Sequence, residues 1–141
     1  MVCPACGNTE YPKICPAVIV AISDGDKLLM ARNVNSQTGS YALIAGFVEI
    51  GESFEQAVRR EAMEEVGVRL KNIRYYKSQP WSFSDTIMIG FTAELDGSPD
   101  LRLQESEIAD AKWVPRSQIP PASSLISVGG ELIENFRLGR I

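Results

Sequence analysis

The sequence of 141 residues lacks long apolar runs, and its longest purely apolar stretch extends only from Ala17 to Ile22. A membrane-spanning helix needs about 20 consecutive apolar residues, so the sequence predicts no such helix. The first residues also lack the order of basic and then apolar side chains that marks an export signal. We therefore expect a soluble, cytoplasmic protein with no membrane partner.

Histidine is absent, and only three cysteines are present. Three cysteines cannot all pair within one chain, which fits a reducing compartment. Acidic residues outnumber basic ones, and the formal net charge of −4 counts against broad nucleic-acid binding. The length fits a single domain that buries roughly two thirds of its unfolded surface.

The most informative segment extends from Gly46 to Val68 and reads GFVEIGESFEQAVRREAMEEVGV. Ser53 is suited to cap a helix, and Gln56, three residues later, completes a capping box. Gly67 is suited to the left-handed conformation that ends a helix. The segment therefore predicts a glycine loop followed by a helix over about Phe54–Val66.

Three glutamates of this helix, Glu61, Glu64 and Glu65, fall within about a third of its circumference at 100° per residue. The same face carries the apolar residues Phe54, Ala57 and Val58. Carboxylates at this distance raise each other's proton affinity unless a cation lies between them, and oxygen ligands select Mg²⁺ or Mn²⁺. Such an ion screens phosphates and activates water, so the cluster predicts pyrophosphate hydrolysis with a carboxylate as base. A solvated acidic helix is the simpler alternative, but it explains neither Gly46 and Glu52 nor the mixed face.

The segment resembles the Nudix box at every defining position. This resemblance implies a mixed β-sheet sandwiched between α-helices, which is an α/β (α+β) fold, and a metal-dependent hydrolase of nucleoside diphosphates linked to another moiety. Carried over by position, Glu61, Glu64 and Glu65 bind the metal, and Glu65 orients or deprotonates the water. Arg60 braces the glutamates or contacts phosphate, and Glu52 supports the loop or a further metal.

Apolar alternation and turn residues predict the other elements. Strands are expected over 16–23, 27–32, 41–45, 68–78, 86–95 and 111–114, with turns at 24–26 and 96–99. A turn of helix is expected over 116–119, and an amphipathic helix over 130–138 with Leu132, Ile133 and Phe136 buried. Strands that alternate with helices indicate an α/β or α+β fold.

A second motif, SQPWSFSDT at 78–86, resembles the SQPWPFPxS signature of NADH pyrophosphatases within the Nudix family. Serines replace proline at 82 and 84, so the segment is less rigid than the family pattern. Trp81 and Phe83 offer flat surfaces for stacking on a base or nicotinamide, and Gln79 offers a donor and an acceptor. The resemblance implies that these three residues and Thr86 bind substrate. Packing at a strand end is the simpler alternative for the two aromatic residues.

Residues 1–15 resemble the second half of the zinc ribbon of those enzymes, and residues 16–141 form the expected Nudix domain. The head carries one cysteine pair, Cys3 and Cys6, and the off-pattern Cys15; the ribbon's first pair and the domain before it are not in the sequence. Structural zinc needs four ligands, so we expect reduced cysteines, with zinc completed across a dimer or by a carboxylate as the alternative. Tyr11 matches a tyrosine that reaches substrate held mainly by a partner subunit, which implies a homodimer. A structural aromatic at the base of the hairpin is the alternative.

Four further positions match the same subfamily. The resemblance implies that the Ala45 backbone carbonyl joins the metal shell and that Phe47 stacks on the nicotinamide side. Glu107 aligns with a distant carboxylate that completes metal binding, and Glu105 is the nearby alternative. Gly129 aligns with a small residue whose backbone contacts substrate.

The leading expectation is a homodimeric hydrolase that splits NADH or NAD into two monophosphates. ADP-ribose is the alternative substrate, because it shares the ADP half and the serines at 82 and 84 loosen nicotinamide selection. NAD-capped RNA is a third candidate, although no basic patch supports it. A nucleotide sensor without hydrolytic activity is the alternative of another class, but it has no need of a water-activating cluster.

Overall fold

The computed structural model describes the whole chain, from Met1 to Ile141. Its elements are β1 (Cys15–Asp24), β2 (Lys27–Asn33), β3 (Ile44–Phe47), α1 (Phe54–Val66), β4 (Leu70–Trp81), β5 (Thr86–Leu95), β6 (Ile108–Pro115), a 3-10 turn (Arg116–Gln118) and α2 (Val128–Arg137). Helix α1 has 13 residues and α2 has 10, and neither is long and apolar enough to cross a membrane.

All six strands form one mixed sheet in the order β4-β5-β1-β2-β6, with β3 paired to β1. Strand β1 is parallel to β5 and antiparallel to β3. Strand β2 pairs with β1 only beside their hairpin turn, whereas it pairs with β6 along its whole length. A single bridge between Ala31 and Ala42 joins β2 to the segment before β3. Strand β3 therefore enters the opening between β1 and β2 and leads the chain into α1.

The two helices pack on opposite faces of the sheet, because β1 alternates two sets of apolar side chains. Val18, Val20 and Ile22 enter a core shared with α1. Ile19 and Ala21 enter a second core shared with α2. The expected mixed sheet between helices is confirmed.

Strand β3 lies later in the sequence than expected. The prediction was 41–45, whereas the strand is Ile44–Phe47. Its position is set by pairing with Ala17–Val20 of β1, while Ala42 makes only the single bridge to β2. Gly46 is consequently a strand residue and not the start of a loop.

Strand β4 continues three residues beyond its expected end at Ser78 and includes the SQPW part of the second motif. Pro80 lies opposite Ile87 of β5. Proline is tolerated there because β4 is an edge strand, in which not every N–H has to bond to a neighbour. The aromatic motif is therefore held by the sheet up to Trp81, and only 82–85 form a turn.

Helix α2 begins at Val128, two residues before its expected start. The reason is that Ser127 caps it, its Oγ accepting a hydrogen bond from the Gly130 N–H at 3.1 Å. Leu132 and Phe136 are buried as expected, whereas Ile133 is only half-buried. Strand β6 is longer than predicted, 108–115, because β2 pairs along its whole length. The bounds predicted for α1 and β5 are confirmed.

Candidate active site

The loop after β3 delivers the chain into α1 through the expected capping box. Ser53 Oγ accepts from the Gln56 N–H at 3.1 Å, and Gln56 Oε1 accepts from the Ser53 N–H at 2.8 Å. Gly67 ends the helix with φ 72°, in the left-handed region. These local contacts fix where each glutamate of α1 stands relative to β3.

An acidic cleft of about 360 Å³ lies between the end of β3 and α1. Its lining residues are Ala45, Gly46, Phe47, Glu49, Arg60, Glu61, Glu64, Glu65 and Glu107. Glu61 and Glu65 are buried, with 8% and 7% of their surface exposed, whereas half of the Glu64 side chain is exposed. Five carboxylates and one guanidinium therefore line a cleft in which some of the charged groups are shielded from solvent.

Gly46 is required by the close approach of Glu61. A Cβ at position 46 would lie 2.1 Å from the carboxyl carbon of Glu61. A side chain on this β3 residue would force the Glu61 carboxylate to move from this position. The glycine of the motif thus leaves room for a carboxylate of α1.

Arg60 ties the cleft together. Its Nε and Nη2 donate to Glu52 Oε2 and Oε1 at 2.7 and 3.0 Å, and Nη2 also donates to the Phe47 carbonyl at 2.9 Å. Its Nη1 donates to Glu61 Oε1 at 2.8 Å and to Glu64 Oε2 at 3.2 Å. Of the two expected roles, bracing the glutamates is the one that these contacts support.

The environment of the cleft shifts the proton affinity of its carboxylates. Burial, and then the charges of Glu61 and Glu107, raise the pKa of Glu65 to about 8. Burial also raises the pKa of Glu61, against the lowering effect of Arg60. The hydrogen bonds from Arg60 lower the pKa of Glu52. The negative charges of Glu61 and Glu65 are therefore incompletely compensated, and a bound cation would compensate them.

The loop before β6 places Glu107, and not Glu105, on the cleft. The Gln104 N–H donates to the Glu65 carbonyl at 2.9 Å, and the Glu107 N–H donates to the Gln104 carbonyl at 2.9 Å. The Val34 N–H holds the Glu107 carbonyl at 2.8 Å. A residue far along the sequence is thus fixed beside the end of α1.

The cleft fits a hard divalent cation, because every side chain that could bind a metal there is a carboxylate. No three Cys, Asp or Glu side chains of the structure already converge as closely as ion ligands do. The physical reason is that Nη1 of Arg60 holds both Glu61 and Glu64.

Two expected substrate contacts, Phe47 and Gln79, point to the α2 face of the sheet. Phe47 lies opposite Ala17, Ala17 opposite Met88, and Met88 opposite Gln79. Residues directly opposite share a face, so Phe47 and Gln79 stand in one row, three strands or roughly 14 Å apart. Trp81 follows two residues after Gln79 and faces the same way.

An aromatic pocket of about 200 Å³ lies on this face. Its lining residues are Ile19, Gln79, Trp81, Met88, Ser127, Val128 and Gly129. Three of the expected substrate contacts, Gln79, Trp81 and Gly129, therefore meet there. A Cβ at position 129 would lie 2.8 Å from Ile19 Cδ1, so glycine keeps the entry of α2 close to β1.

The side-chain amide of Gln79 is already engaged. Its Nε2 donates to the Ile126 carbonyl at 2.7 Å, and its Oε1 accepts from the Val128 N–H at 2.9 Å. The same donor and acceptor were expected to contact substrate. In the structure they attach β4 to the start of α2.

The remaining expected substrate residues lie outside both the cleft and the aromatic pocket. Phe83 is exposed and packs on Trp81 with ring centroids 5.1 Å apart. Thr86 lines a neighbouring groove with Trp81 and Asp85. Tyr11 is 81% exposed in the head and lines neither the cleft nor the aromatic pocket.

The cysteines of the head form a tight turn and no disulfide. The Gly7 N–H donates to the Cys3 carbonyl at 2.9 Å. The backbone N–H groups of Cys6 and Ala5, followed by the Cys6 thiol, lower the pKa of Cys3. Cys15 lies apart in β1. One cysteine pair is thus arranged together, and Cys15 does not join it.

Glu49 was missed as a site residue. It lines the cleft, and its Oε1 lies 3.8 Å from Arg60 Nη1. Its backbone N–H donates to Glu52 Oε1 at 3.1 Å. The sequence does contain a signal for Glu49, because it is an acidic residue in the short loop that connects β3 to the acidic helix α1.

Comparison with known proteins agrees with this geometry. The family model of the NUDIX domain matches residues 13–136. A NAD-capped RNA hydrolase NudC of Actinobacillus succinogenes is 48% identical over 130 residues, which are 86% of this chain and 49% of that protein. Its namesake in Chromobacterium violaceum is 46% identical over 133 residues, 94% of this chain and 50% of that protein. The chain therefore spans about half the length of the curated relatives it matches.

Solved structures show the same fold at lower sequence identity. A crystal structure of a NUDIX hydrolase from Nitrosomonas europaea has a TM-score of 0.82 at 22% identity, covering 99% of this chain and 78% of that chain. The NUDIX domain of Shewanella oneidensis NrtR complexed with ADP ribose has a TM-score of 0.72 at 21% identity, covering 93% of this chain and 91% of that chain. With the family model matching nearly the whole chain and the box glutamates gathered in one cleft, this protein belongs to the Nudix family.

Proposed function

We propose that the protein hydrolyses the pyrophosphate bond of a dinucleotide, with NADH or NAD as substrate and a nicotinamide mononucleotide and AMP as products. The oxygen of water bonds to one phosphorus, the bond from that phosphorus to the bridging oxygen breaks, and the bridging oxygen leaves with the other phosphate, so that two monophosphates form. The observation that carries this proposal is the cleft in which five carboxylates and Arg60 meet the end of β3.

Four of the five acidic residues of the cleft have a proposed role. Glu61, Glu64, Glu65 and Glu107, with the Ala45 carbonyl, would hold Mg²⁺ or Mn²⁺. Such an ion supplies positive charge to the phosphates and lowers the pKa of bound water. Glu65 takes the proton of the attacking water or orients it, because it is the most buried carboxylate of α1 and its proton affinity is raised.

Arg60 and Glu52 act as positioning residues. Two hydrogen bonds join their side chains, and Arg60 also holds the Phe47 carbonyl. A bidentate pair of this kind fixes orientation as well as distance. The pair keeps β3, the loop and α1 in one arrangement, so that the metal-binding oxygens face the substrate phosphates.

The substrate would extend from the cleft onto the α2 face of the sheet. Phe47 lines the cleft and shares that face with Trp81, so the two rings contact the substrate at different places. Gly129 and Gln79 border the aromatic pocket, Phe83 packs on Trp81 beside it, and Thr86 lines the neighbouring groove. The exposed Tyr11 would reach the substrate of the other subunit of a homodimer.

We propose NADH or NAD as the leading substrate because the sequence relatives are named for a NAD-linked activity. NAD-capped RNA is the substrate in that name, but the acidic cleft and the net charge of −4 offer little attraction to a polyanion. ADP-ribose is the alternative, supported by its complex with the structurally similar domain of Shewanella oneidensis NrtR. We place the reaction in the cytoplasm, where unpaired cysteines stay reduced.

The reaction is tested by incubating the protein with NADH, NAD or ADP-ribose and identifying the products by chromatography. Activity is expected with Mg²⁺ or Mn²⁺, to disappear with EDTA, and to return when the ion is restored. AMP and the second monophosphate should form in equal amounts. Tight nucleotide binding without turnover would instead identify a sensor, and release of inorganic phosphate would exclude the proposed bond cleavage.

Substitution of Trp81 tests the substrate assignment. If Trp81 stacks on the nicotinamide, Trp81→Ala should lower kcat/KM for NADH by about fivefold, since one stacking contact is worth roughly 1 kcal/mol. ADP-ribose, which lacks the nicotinamide, should lose less. An equal loss of kcat/KM on both substrates would indicate that Trp81 contacts the ADP half that they share, or that it only packs in the fold. If the protein does not cleave NADH at all, ADP-ribose becomes the leading substrate.

A further inference from the structure

A third cavity, separate from the acidic cleft and the aromatic pocket, lies where α2 and the segment before it cover β2 and β6. Its volume is about 560 Å³, within the roughly 300–1,000 Å³ of small-molecule sites. Met30 and Val114 supply apolar walls from the sheet, and Ile133 supplies one from α2. Neither the acidic cleft nor the aromatic pocket shares a lining residue with it.

Tyr41 forms a rigid flat wall of this cavity. Its hydroxyl donates to Asp110 Oδ2 at 2.5 Å, so the ring is held against β6. The Lys112 ammonium lies 4.4 Å from the ring centroid, and the Arg32 guanidinium lies 5.9 Å from it. A planar group entering the cavity would find an aromatic surface that is already fixed in place.

The charge of the cavity is opposite to that of the acidic cleft. Lys112 is the one charged residue among those that line it. It takes part in none of the salt bridges of the structure. Asp110, the nearby acid on β6, accepts the Tyr41 hydroxyl, and its negative charge faces both Arg32 and Lys112, so two cations stand beside one anion. The cavity therefore offers a cation to an incoming anion, whereas the cleft offers carboxylates to a cation.

The outer wall is held in place by contacts of its own. Pro120 and Pro121 restrict the backbone, and the Ala122 N–H donates to Glu134 Oε2 of α2 at 3.0 Å. A Cβ at Gly130 would lie 2.9 Å from the Ser124 carbonyl oxygen, so glycine permits this close approach. The cavity is thus formed before any ligand enters it, which reduces the entropic cost of binding.

We propose that this cavity is a second ligand site, for a small organic anion that carries one flat apolar group. The flat group lies between the Tyr41 ring and the side chains of Met30 and Ile133. The anionic group meets Lys112 at the mouth. The proposal rests on these walls and charges, and it stands or falls independently of the hydrolytic reaction.

The methionines allow a direct test, because each of the three within the fold marks a different place. Met30 lines the proposed site, Met88 lines the aromatic pocket, and Met63 lines a groove beyond the C-terminal end of α1. We would label the methionine methyl groups with ¹³C and titrate the full chain with AMP in EDTA. AMP serves as a flat anion, and adenosine as the same flat group without the charge.

The expected result is a saturable shift of the Met30 signal with AMP, at lower concentration than with adenosine. Lys112→Gln should weaken AMP binding by about five- to tenfold and leave adenosine binding unchanged. Lys71→Gln, on strand β4 at the opposite edge of the sheet, is the matched control and should bind AMP like the wild type. A shift confined to Met88 or Met63, no shift, or an AMP affinity indifferent to Lys112→Gln would overturn the proposal.

Discussion

At the scale of single residues, the cleft depends on carboxylates that differ in burial. Glu61 and Glu65 are buried, Glu64 is half exposed, and Arg60 bonds to Glu61 and Glu64 but not to Glu65. Glu65 is thus the carboxylate with the least compensation for its charge, as its raised pKa records. That position suits a group that takes a proton from water.

We predict that Glu65→Gln lowers kcat by about 100-fold or more, since it removes a metal ligand and the proposed base together. The fold should persist, because glutamine has the same shape. Glu55→Gln, on the exposed side of the first turn of α1, is the matched control and should keep full activity. Steady-state kinetics and circular dichroism of both variants provide the measurement. Near-normal turnover of a folded Glu65→Gln protein would exclude the proposed mechanism.

The pair Glu105 and Glu107 provides a second test at this scale. Only Glu107 lines the cleft, where its charge acts on Glu61 and Glu65. Glu107→Gln should lower activity by less than Glu65→Gln and raise the Mg²⁺ concentration needed for half-maximal rate. Glu105→Gln should change neither quantity. If metal titrations show Glu105→Gln to be the more damaging change, Glu105 and not Glu107 is the carboxylate that completes metal binding.

At the scale of secondary-structure elements, the substrate side of the site depends on how α2 is attached to the edge of the sheet. Gln79 of β4 makes two hydrogen bonds to the backbone that enters α2. Lys77 Nζ and the Tyr76 hydroxyl both donate to Glu131 of α2, at 2.7 and 2.6 Å. These contacts with β4 therefore fix the position of Gly129, which lies between Val128 and Glu131.

We expect Gln79→Leu to destabilise the fold by about 1–3 kcal/mol, because it removes two hydrogen bonds, one of them to the part-buried Val128 N–H. KM should rise more than kcat falls, since the aromatic pocket loosens while the metal-binding cleft is untouched. Ser78→Ala, the exposed neighbour on the other face, is the control and should leave Tm unchanged. Thermal unfolding and steady-state kinetics separate the two effects. A raised KM with an unchanged Tm would instead indicate that Gln79 contacts the substrate directly.

At the scale of the whole molecule, five of the large exposed hydrophobic residues lie around the end of the sheet that carries the aromatic pocket. Tyr11 and Ile14 precede β1, Phe83 follows β4, and Leu125 and Ile126 precede α2. Strands β1 and β5 run parallel from this end, so these segments are neighbours. The arrangement fits a partner subunit that completes the substrate site.

We predict that the protein is a dimer at micromolar concentration, with a mass about twice the 15.5 kDa of the chain. Light scattering provides the measurement. Tyr11→Ala should raise KM without changing the metal requirement, because Tyr11 lies outside the acidic cleft. A fully active monomer would contradict the shared site.

Elemental analysis of the same sample tests the head. Free thiols are expected at Cys3 and Cys6, whereas one zinc ion per two chains would favour a site shared by both heads.

The sequence by itself determined the loop, the bounds of α1 and the common face of Glu61, Glu64 and Glu65, because capping and helical periodicity act between residues a few positions apart. Tertiary structure decided what depends on distant segments. Pairing with β1 moved β3 along the chain, so that Gly46 lies against Glu61. A loop bonded to the end of α1 placed Glu107 in the cleft, and sheet register placed Phe47 and Gln79 on one face. No local pattern contains these contacts, since each is set by how separate elements pack.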